Sequence, residues 1–327
     1  MKSIDLFGCG NSIVDQQFSV TEEVIRKTGL VLDQMTLATP QDHERILAIL
    51  DQHQCQSIAS CGGSATNTII AAAYFGSRCH HVCYVADDSE GRTFLQSLKQ
   101  ADVSTSTGIS SDSLPTGRCL VLVTPDGKRT MSTCLGVSAS FDVARLDFSD
   151  VQHSKMVYIE GYMATSVQNA QTVVSVLEEA TKQSCQKALS LSDPWVAATF
   201  KETIDQWIQY GIDILFCNDA EAMAFTQTSD LEQAQSILKT LTKQYVITCG
   251  AKGALLYDGK HCLKVPGQSV SVVDTNGAGD MFAGAFLHAM LKGDDVKSAG
   301  IFANKAAARI VQHFGARLEK EQYMALV

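Results

Sequence analysis

Regular alternation of apolar runs with helical patterns is the feature that most restricts how this chain can fold. Strands are predicted near 155–160, 187–192, 213–217 and 245–249, and helical patterns near 166–183, 200–210 and 230–243 separate them. Repeated strand–helix units of this kind form a mainly parallel sheet with helices on both faces. Ligands of such sheets bind outside the carboxyl ends of the strands, where we expect a functional site.

The remainder of the chain extends the alternation and interrupts it with hairpins. The pattern predicts further elements, namely strands at Ile4–Gly8, Leu30–Thr39 and His81–Ala86, and helices at 41–52, Ala65–Phe75 and 294–313. Two runs, 118–124 and 128–135, flank Pro125-Asp126-Gly127 and are typical of a hairpin. Because this hairpin breaks the alternation, we expect it to belong to a separate small sheet. A second hairpin is predicted over 253–266.

The stretch Asp274-Thr275-Asn276-Gly277-Ala278-Gly279-Asp280 has the composition of an anion-binding turn. Small residues at Gly277, Ala278 and Gly279 permit a tight turn into a helix, whose first N–H groups are unpaired and partially positive. Asp280 places a carboxylate beside that site. A carboxylate repels a phosphate, but it can accept a proton from a hydroxyl nucleophile. The alternative is a glycine-rich turn in which Asp280 only caps a helix.

Composition and charge exclude several classes of function. The net charge of −9 argues against binding to nucleic acid or to an anionic membrane. Eleven scattered cysteines form no CxxC pair, and the chain start has no signal-peptide pattern, so we expect free thiols and a cytoplasmic protein. Residues 79–83, Cys-His-His-Val-Cys, have no second ligand pair to make a metal site. Gly8-Cys9-Gly10 lacks the third glycine of a dinucleotide site.

Four motifs together resemble the ribokinase-like (PfkB) family of carbohydrate and nucleoside kinases, over essentially the whole chain. They occur in the family's order and are Gly62-Gly63-Ser64-Ala65-Thr66-Asn67, Asn218-Asp219-Ala220-Glu221, Thr248-Cys249-Gly250-Ala251-Lys252-Gly253 and Asp274 to Asp280. The resemblance implies one three-layer α/β/α domain over 1–327 with a mainly parallel central sheet. It also implies a small β-sheet lid, formed by roughly 12–39 and 114–137, whose closure excludes water.

The same resemblance assigns roles in phosphoryl transfer. Asp280 would be the general base, and the N–H groups of Gly277, Ala278 and Gly279 would form the anion hole. Glu221 and Asn218 would hold Mg²⁺ largely through water, because Mg²⁺ gives up its water ligands reluctantly. A solvated first-turn carboxylate is the alternative for Glu221. The remaining ATP-binding residues would be Thr248, Gly250, Gly253, Asn304 and Arg129, for which a solvated hairpin charge is an equal alternative.

Within the family, the chain is most similar to adenosine kinases. Residues 8–15, Gly-Cys-Gly-Asn-Ser-Ile-Val-Asp, match their opening motif, and Asn276 stands where many sugar kinases have Thr. Acceptor-binding residues would be Asn11, Asp15, Gly63, Asn67, Tyr162 and Trp195. Asp15 and Asn67 would bind the ribose hydroxyls, although Asp15 could instead be a turn residue and Asn67 a polar group at a helix N-terminus. Tyr162 and Trp195 would flank a base, although aromatic residues after strands are more often core. Trp195 replaces a frequent Phe, which leaves the pocket size open.

These assignments predict an ATP-dependent kinase that phosphorylates the 5′-hydroxyl of adenosine, with Mg²⁺ as cofactor. A sugar kinase for ribose, fructose or a related sugar is the alternative of the same fold, and a catalytically silent nucleotide-binding regulator is the alternative of another class. A K⁺ ion near Asp274, as in some relatives, stays open. The expected partners are small molecules, without nucleic acid or membrane. The chain would be a monomer or a homodimer joined through the edges of the lid sheet.

Overall fold

The computed structural model describes residues 2–110 and 114–327. The strands, in chain order, are β1 (Ile4–Cys9), β2 (Ile13–Ser19), β3 (Met35–Leu37), β4 (Ser57–Cys61), β5 (Cys79–Ala86), β6 (Thr107–Ser110), β7 (Gly117–Val123), β8 (Arg129–Cys134), β9 (Ser154–Glu160), β10 (Gln186–Ser190), β11 (Ile214–Asn218), β12 (Gln244–Thr248), β13 (Gly253–Tyr257) and β14 (Cys262–Pro266).

The helices follow the predicted alternation. They are α1 (Glu22–Thr28), α2 (Pro40–Gln52), α3 (Ser64–Tyr74), α4 (Ser89–Gln100), α5 (Phe148–Gln152), α6 (Val167–Lys182), α7 (Pro194–Thr199), α8 (Lys201–Ile208), α9 (Asp219–Thr226), α10 (Leu231–Leu241), α11 (Ala278–Lys292), α12 (Val296–Ile310) and α13 (Lys320–Met324). Within residues 2–110 and 114–327, no helix combines the length and apolar content needed to cross a bilayer.

A central sheet forms the middle layer of the molecule. Its strand order across the described residues is β14-β13-β12-β11-β10-β9-β1-β5-β6, and the strands from β12 to β6 run parallel. At one edge, β13 pairs antiparallel with β12 and with β14. Apolar side chains of α3, α11 and α12 cover one face, and those of α6, α8 and α10 cover the other. The predicted three-layer α/β/α architecture is therefore confirmed.

A second sheet, called here the small sheet, has the strand order β3-β8-β7-β2-β4 in the described chain. Its β7–β8 hairpin is the one that the sequence predicts around Pro125-Asp126-Gly127. One face packs against α1 and α2 through Phe18, Ile25, Ile46 and other apolar residues. The other face carries Ile13, Cys119 and Val121. The two faces therefore differ in what they contact, and only one is covered by helices.

The small sheet and the helix beside it differ from the sequence expectation in four elements. The predicted strand over Leu30–Thr39 is reduced to β3 (Met35–Leu37), because Asp33 has a left-handed backbone (φ +60°) that ends the extended run. Two elements within the predicted lid segment were not foreseen, namely β2 and α1, although Thr21 caps α1 by accepting from the Val24 N–H. The strand β4 lies outside both predicted lid segments and forms an edge of the sheet.

Candidate active site

The turn before α11 is shaped by backbone requirements. Gly277 caps the helix with a left-handed backbone (φ +72°), and a Cβ at this position would lie 2.5 Å from the Ala316 carbonyl oxygen. Any residue other than glycine is therefore excluded by both conformation and space. The helix begins at Ala278, whose N–H closes the turn on the Thr275 carbonyl at 3.3 Å. The resulting N-terminus has the dipole orientation that favours an anion.

The turn is anchored by Asp274, which is fully buried. Its carboxylate accepts hydrogen bonds from the backbone N–H groups of Asn276 (2.8 Å) and Gly315 (3.0 Å), and from the Gln17 side chain (3.0 Å). Gln17 belongs to β2, so one carboxylate connects the small sheet to the turn. Arg129 of β8 makes a second connection through a 2.7 Å hydrogen bond to Asn276 Oδ1. The small sheet is thus in direct contact with the turn.

Asp280 is the third residue of α11, and its carboxylate is held on both oxygens. Oδ1 accepts from the Ser64 hydroxyl at 2.6 Å, and Oδ2 accepts from Asn67 Nδ2 at 3.1 Å. Burial raises the pKa of Asp280 above its ordinary value, whereas these two hydrogen bonds oppose the increase. A carboxylate with a raised pKa is better suited to accept a proton than an exposed one.

Asp15 and the two glycines of the motif at 62–67 meet at the carboxyl end of β4. A Cβ on Gly62 would overlap the Asp15 carboxylate. Gly63 has a φ of +88°, and a Cβ there would lie 2.5 Å from the Asn11 carbonyl oxygen. The two glycines therefore let the chain pass close to Asp15 and Asn11. Burial is the main cause that raises the pKa of Asp15 to about 7. The neighbouring Asp280 raises it further, and Arg317 and Arg129 lower it.

Glu160, at the end of β9, was not predicted as a site residue. Its carboxylate accepts from Asn11 N (2.8 Å), Asn11 Nδ2 (3.0 Å) and Ala65 N (2.7 Å), and burial raises its pKa to about 7. Asn11 Oδ1 also accepts from the Asn169 amide at 3.0 Å. Hydrogen bonds to other protein groups therefore hold Asn11 in place in the cavity lining. The sequence gives no signal for Glu160 beyond its place at the end of a strand.

Asn218 and Glu221 form a capping box at the start of α9. The Glu221 carboxylate accepts from the Asn218 backbone N–H (3.0 Å) and from Asn218 Nδ2 (2.6 Å). Burial raises the pKa of Glu221 to about 8. Of the two interpretations of Glu221, the solvated first-turn carboxylate does not fit this environment, because Glu221 is buried.

A cavity of about 660 Å³ lies between the small sheet and the carboxyl ends of the central strands. It brings together most of the predicted residues, namely Asn11, Asp15, Gly63, Asn67, Arg129, Tyr162, Asn218, Glu221 and the segment 275–280. Five apolar residues of the small sheet and the segments beside it, called here the apolar wall, also line the cavity, namely Ile13, Met35, Cys119, Met131 and Leu135. Polar residues of the same sheet lie among them, since Asp15 pairs with Cys119 on the neighbouring strand and Arg129 lies on β8 with Met131.

The other predicted residues lie elsewhere. Thr248 lines a smaller cavity of about 90 Å³, together with Glu221 and Asp280. Gly250 and Gly253 flank a short 3₁₀ turn, both with positive φ. Asn304 on α12 donates to the Pro266 carbonyl at 2.6 Å. These last three residues line neither cavity.

Trp195 does not take the position expected of a base-stacking residue. Its ring is 44% exposed and packs edge-on against Phe200, with 5.5 Å between ring centroids, whereas the preceding Pro194 lines the cavity. The Asp193 carboxylate accepts from the Trp195 N–H as the cap of α7. Of the two aromatic residues predicted beside the base, only Tyr162 lines the cavity.

Arg317 is a further residue that sequence reasoning missed. It follows α12 in an irregular segment, and its guanidinium donates to Asn67 Oδ1 (2.8 Å), to the Ser97 hydroxyl (2.8 Å) and to the Cys61 carbonyl. A single arginine in an irregular C-terminal segment resembles an ordinary surface charge, so the sequence contained no usable signal.

Comparison with known proteins places this site in a family. The model of the pfkB family of carbohydrate kinases matches residues 41–322. Adenosine kinase of Saccharomyces cerevisiae is 27% identical over 332 residues, which cover 96% of each chain. Two solved structures superimpose with TM-scores of 0.92. One is adenosine kinase from Sinorhizobium meliloti (27% identity, covering 99% of this chain and 98% of the other), and one is a probable sugar kinase from Rhizobium etli (26% identity, covering 100% of both).

Proposed function

Because this chain belongs to the pfkB family of carbohydrate kinases, we propose that it transfers the γ-phosphate of ATP to the 5′-hydroxyl of adenosine. Membership makes it a phosphotransferase that acts on a sugar or a nucleoside. Adenosine kinases occur among both its sequence relatives and its structural neighbours. The choice of adenosine is the part that needs an argument from the site.

The single observation that carries this choice is the apolar wall in the cavity lining. It is formed by Ile13, Met35, Cys119, Met131 and Leu135, and it shares the cavity with the polar side chains of Asp15, Asn67 and Asp280. A free sugar exposes hydroxyl groups on every side and would leave such a wall in contact with polar atoms. A nucleoside joins a flat base to a polar ribose, and it matches a cavity that offers both apolar and polar contacts.

The transfer step follows from the groups around Asp280. The acceptor oxygen attacks the γ-phosphorus, the bond from that phosphorus to the bridging oxygen of ADP breaks, and Asp280 accepts the hydroxyl proton. The N-terminus of α11 stabilises negative charge on the transferred phosphoryl group, aided by Gly277 and Gly279. Arg129 reaches this turn from the small sheet through Asn276, so it can add positive charge when the small sheet closes over the substrates.

Kinases of this family generally use ATP with Mg²⁺. The donor set suits this ion, because the Glu221 carboxylate and the Asn218 side-chain oxygen are hard oxygen ligands beside Asp280. Across the described residues, no group of three or more His, Cys, Asp or Glu side chains could bind a metal alone. A Mg²⁺ ion held largely through water would have Glu221 and Asn218 as its protein partners. The ion would neutralise charge on the phosphates.

A sugar kinase is the second candidate, because one of the structural neighbours is described as a probable sugar kinase. The probable sugar kinase from Rhizobium etli superimposes as well as the adenosine kinase from Sinorhizobium meliloti, with a TM-score of 0.92 for each. Overall shape therefore does not separate the two acceptors. The two acceptors differ in the base, which would contact the apolar wall, so the wall is the part of the site that can distinguish them.

An acceptor panel with Mg-ATP tests the proposal. ADP formation is measured with adenosine, ribose and fructose, and the product from adenosine is identified by ³¹P NMR. We expect far higher kcat/KM for adenosine, with AMP as the product. The matched control is 5′-deoxyadenosine, which has the base but lacks the acceptor hydroxyl, so it should inhibit competitively without forming a product. Higher kcat/KM for ribose or fructose would exclude adenosine as the acceptor and leave a sugar kinase.

A further inference from the structure

Arg317 lies behind the active site and connects three separate elements. Each of its donor groups has its own partner: Nε donates to Asn67 Oδ1 of α3, Nη1 to Ser97 Oγ of α4, and Nη2 to the carbonyl of Cys61 at the end of β4. The segment around it also contacts the catalytic turn, because Gly315 N donates to Asp274 and the Ala316 carbonyl lies against Gly277. Arg317 does not line the cavity.

The chemistry of these partners determines which way the Asn67 amide faces. A guanidinium can only donate hydrogen bonds, so the Asn67 oxygen must face Arg317. The NH₂ group of the same amide then faces Asp280, to which it donates at 3.1 Å. In the reversed orientation, the amide oxygen would face the Asp280 carboxylate, and its NH₂ group would face a donor. The reversed amide would therefore lose both hydrogen bonds and place two acceptors side by side.

The state of Asp280 depends on that orientation. A carboxylate that accepts from the Asn67 NH₂ group and the Ser64 hydroxyl is stabilised in its ionised form. An amide oxygen in the same place would instead favour a protonated carboxyl group, which can donate to it. A protonated Asp280 cannot accept a proton from the substrate hydroxyl.

We propose that Arg317 is a positioning residue that holds the Asn67 amide so that it donates to Asp280 and keeps this carboxylate ready to act as the base. The inference rests on the proposed role of Asp280. It assigns to the irregular segment after α12 a part in the transfer step that goes beyond its packing. Arg317 acts through Asn67 and through its charge, without touching either substrate.

The charges around Asp280 set the direction of the expected effect. Groups that face it from the neighbouring elements are the carboxylates of Asp15, Glu160 and Glu221, the guanidinium groups of Arg129 and Arg317, and the phenols of Tyr158, Tyr162 and Tyr323. Burial raises the pKa of Asp280, and Arg317 lowers it, both by its charge and through Asn67. Removing Arg317 should therefore raise this pKa, so that activity is lost at a higher pH as the solution is acidified.

The experiment is the pH profile of kcat between about pH 5 and 9, measured as ADP formation with saturating Mg-ATP and the best acceptor of the wild type. Arg317→Met removes the charge and all three donors at similar length. Arg317→Lys keeps the charge but lacks the planar group whose separate nitrogens reach three distant partners. Ser97→Ala is the matched control, because it removes one hydrogen bond to the same guanidinium and leaves the Asn67 contact in place. Asp280→Asn tests whether Asp280 is the base.

For Arg317→Met, we expect the acid limb to move up by about one pH unit or more, the usual size of the effect of an opposite charge on a carboxyl group. At a pH below both limbs, kcat should be about 10-fold lower than in the wild type, with KM for ATP within about 2-fold. Arg317→Lys should give a smaller shift in the same direction, and Ser97→Ala should leave the acid limb in place.

An unshifted acid limb in Arg317→Met, whatever the overall rate, would overturn the inference and leave Arg317 as a packing residue. If that variant does not fold, Arg317→Gln decides, because it also removes the charge, and an unshifted limb in it has the same meaning. The role of Asp280 as the base and the role of Arg317 are tested separately. Substantial turnover by Asp280→Asn would remove the base itself, whereas an inactive Asp280→Asn with an unshifted Arg317→Met would overturn only the role of Arg317.

Discussion

The turn before α11 and the apolar wall of the main cavity are built in different ways. The turn lies at the N-terminus of α11, and it is fixed by Gly277, Asp274 and the contacts of Asp280. The apolar wall is formed on the small sheet and beside it, by single residues from separate segments such as Ile13, Met35 and Leu135. The turn is held by backbone geometry, and the wall is a set of replaceable side chains.

This difference separates the two tasks of a kinase. Phosphoryl transfer needs fixed dipoles and a fixed base, which the turn and the central sheet supply. Acceptor choice needs only a surface of suitable shape, which side chains on the small sheet can change without altering the transfer step. The equal superposition on an adenosine kinase and on a probable sugar kinase agrees with this division. The following predictions test whether the two tasks are separable.

The largest effect is expected at the base. Asp280→Asn keeps the shape of the side chain but removes the proton acceptor, so kcat should fall by about 10²–10⁴-fold, the usual contribution of a general base. KM for ATP should change little, because the base does not contact ADP. Steady-state ADP formation measures both values. Near-normal turnover would remove Asp280 from the transfer step.

A backbone change at the turn should cost stability. Gly277→Ala adds a Cβ 2.5 Å from the Ala316 oxygen at a φ of +72°, and such strain is of the order of 1–3 kcal/mol, or about 5–150-fold in the unfolding equilibrium. Urea unfolding measures the difference. The matched control is Gly279→Ala, since a Cβ there meets nothing within 4 Å and φ is not positive. Equal stability of the two variants would contradict the account of the turn.

A change on the apolar wall should affect one acceptor more than the other. Met131→Ala removes apolar contact worth ~1–2 kcal/mol, at about 25 cal/mol per Å² of area, so kcat/KM for adenosine should fall by about 5–30-fold. The value for ribose should change by less than about 3-fold, because ribose does not reach this wall. Ile58→Ala is the control, since Ile58 is an exposed residue of the same sheet outside the cavity. Parallel losses for both acceptors would disprove the separation.

The smallest effect is expected at Trp195. Its ring packs on Phe200 and lies outside the cavity, so Trp195→Ala should change kcat/KM for adenosine by less than about 3-fold, as is usual for partly exposed residues. A stacking residue would instead lose about 5–150-fold. A loss of that size in the same kinetic assay would mean that Trp195 stacks on the base of adenosine.

The sequence was sufficient for features that depend on local pattern. Strand and helix alternation predicts the central sheet, and the residues of the four motifs predict the family, which the family model confirms. The turn at Gly277 and the cap at Asn218 are readable because the residue types are required within a few positions. These features need no knowledge of distant contacts.

The features that the sequence did not reveal depend on contacts between distant segments. Glu160 meets Asn11 across 149 positions, and Arg317 meets Asn67 across 250. The edge strand β4 is exposed over Ser57–Ser60, so its pattern did not identify it as a strand. Trp195 was expected at the base because the motif continues through it, but its ring packs on Phe200 and does not line the cavity. Pairing of two subunits through the small sheet stays a prediction.

The most direct test of the division of tasks between the turn with Asp280 and the apolar wall is the affinity of Asp280→Asn for adenosine. It is measured by titration calorimetry without ATP. The account predicts a Kd within about 3-fold of the wild type, in a variant whose turnover has fallen by about 10²–10⁴-fold. Such a result would mean that the wall binds the acceptor and that Asp280 acts only in the transfer. A loss of affinity as large as the loss of turnover would contradict it, because Asp280 would then be a binding residue.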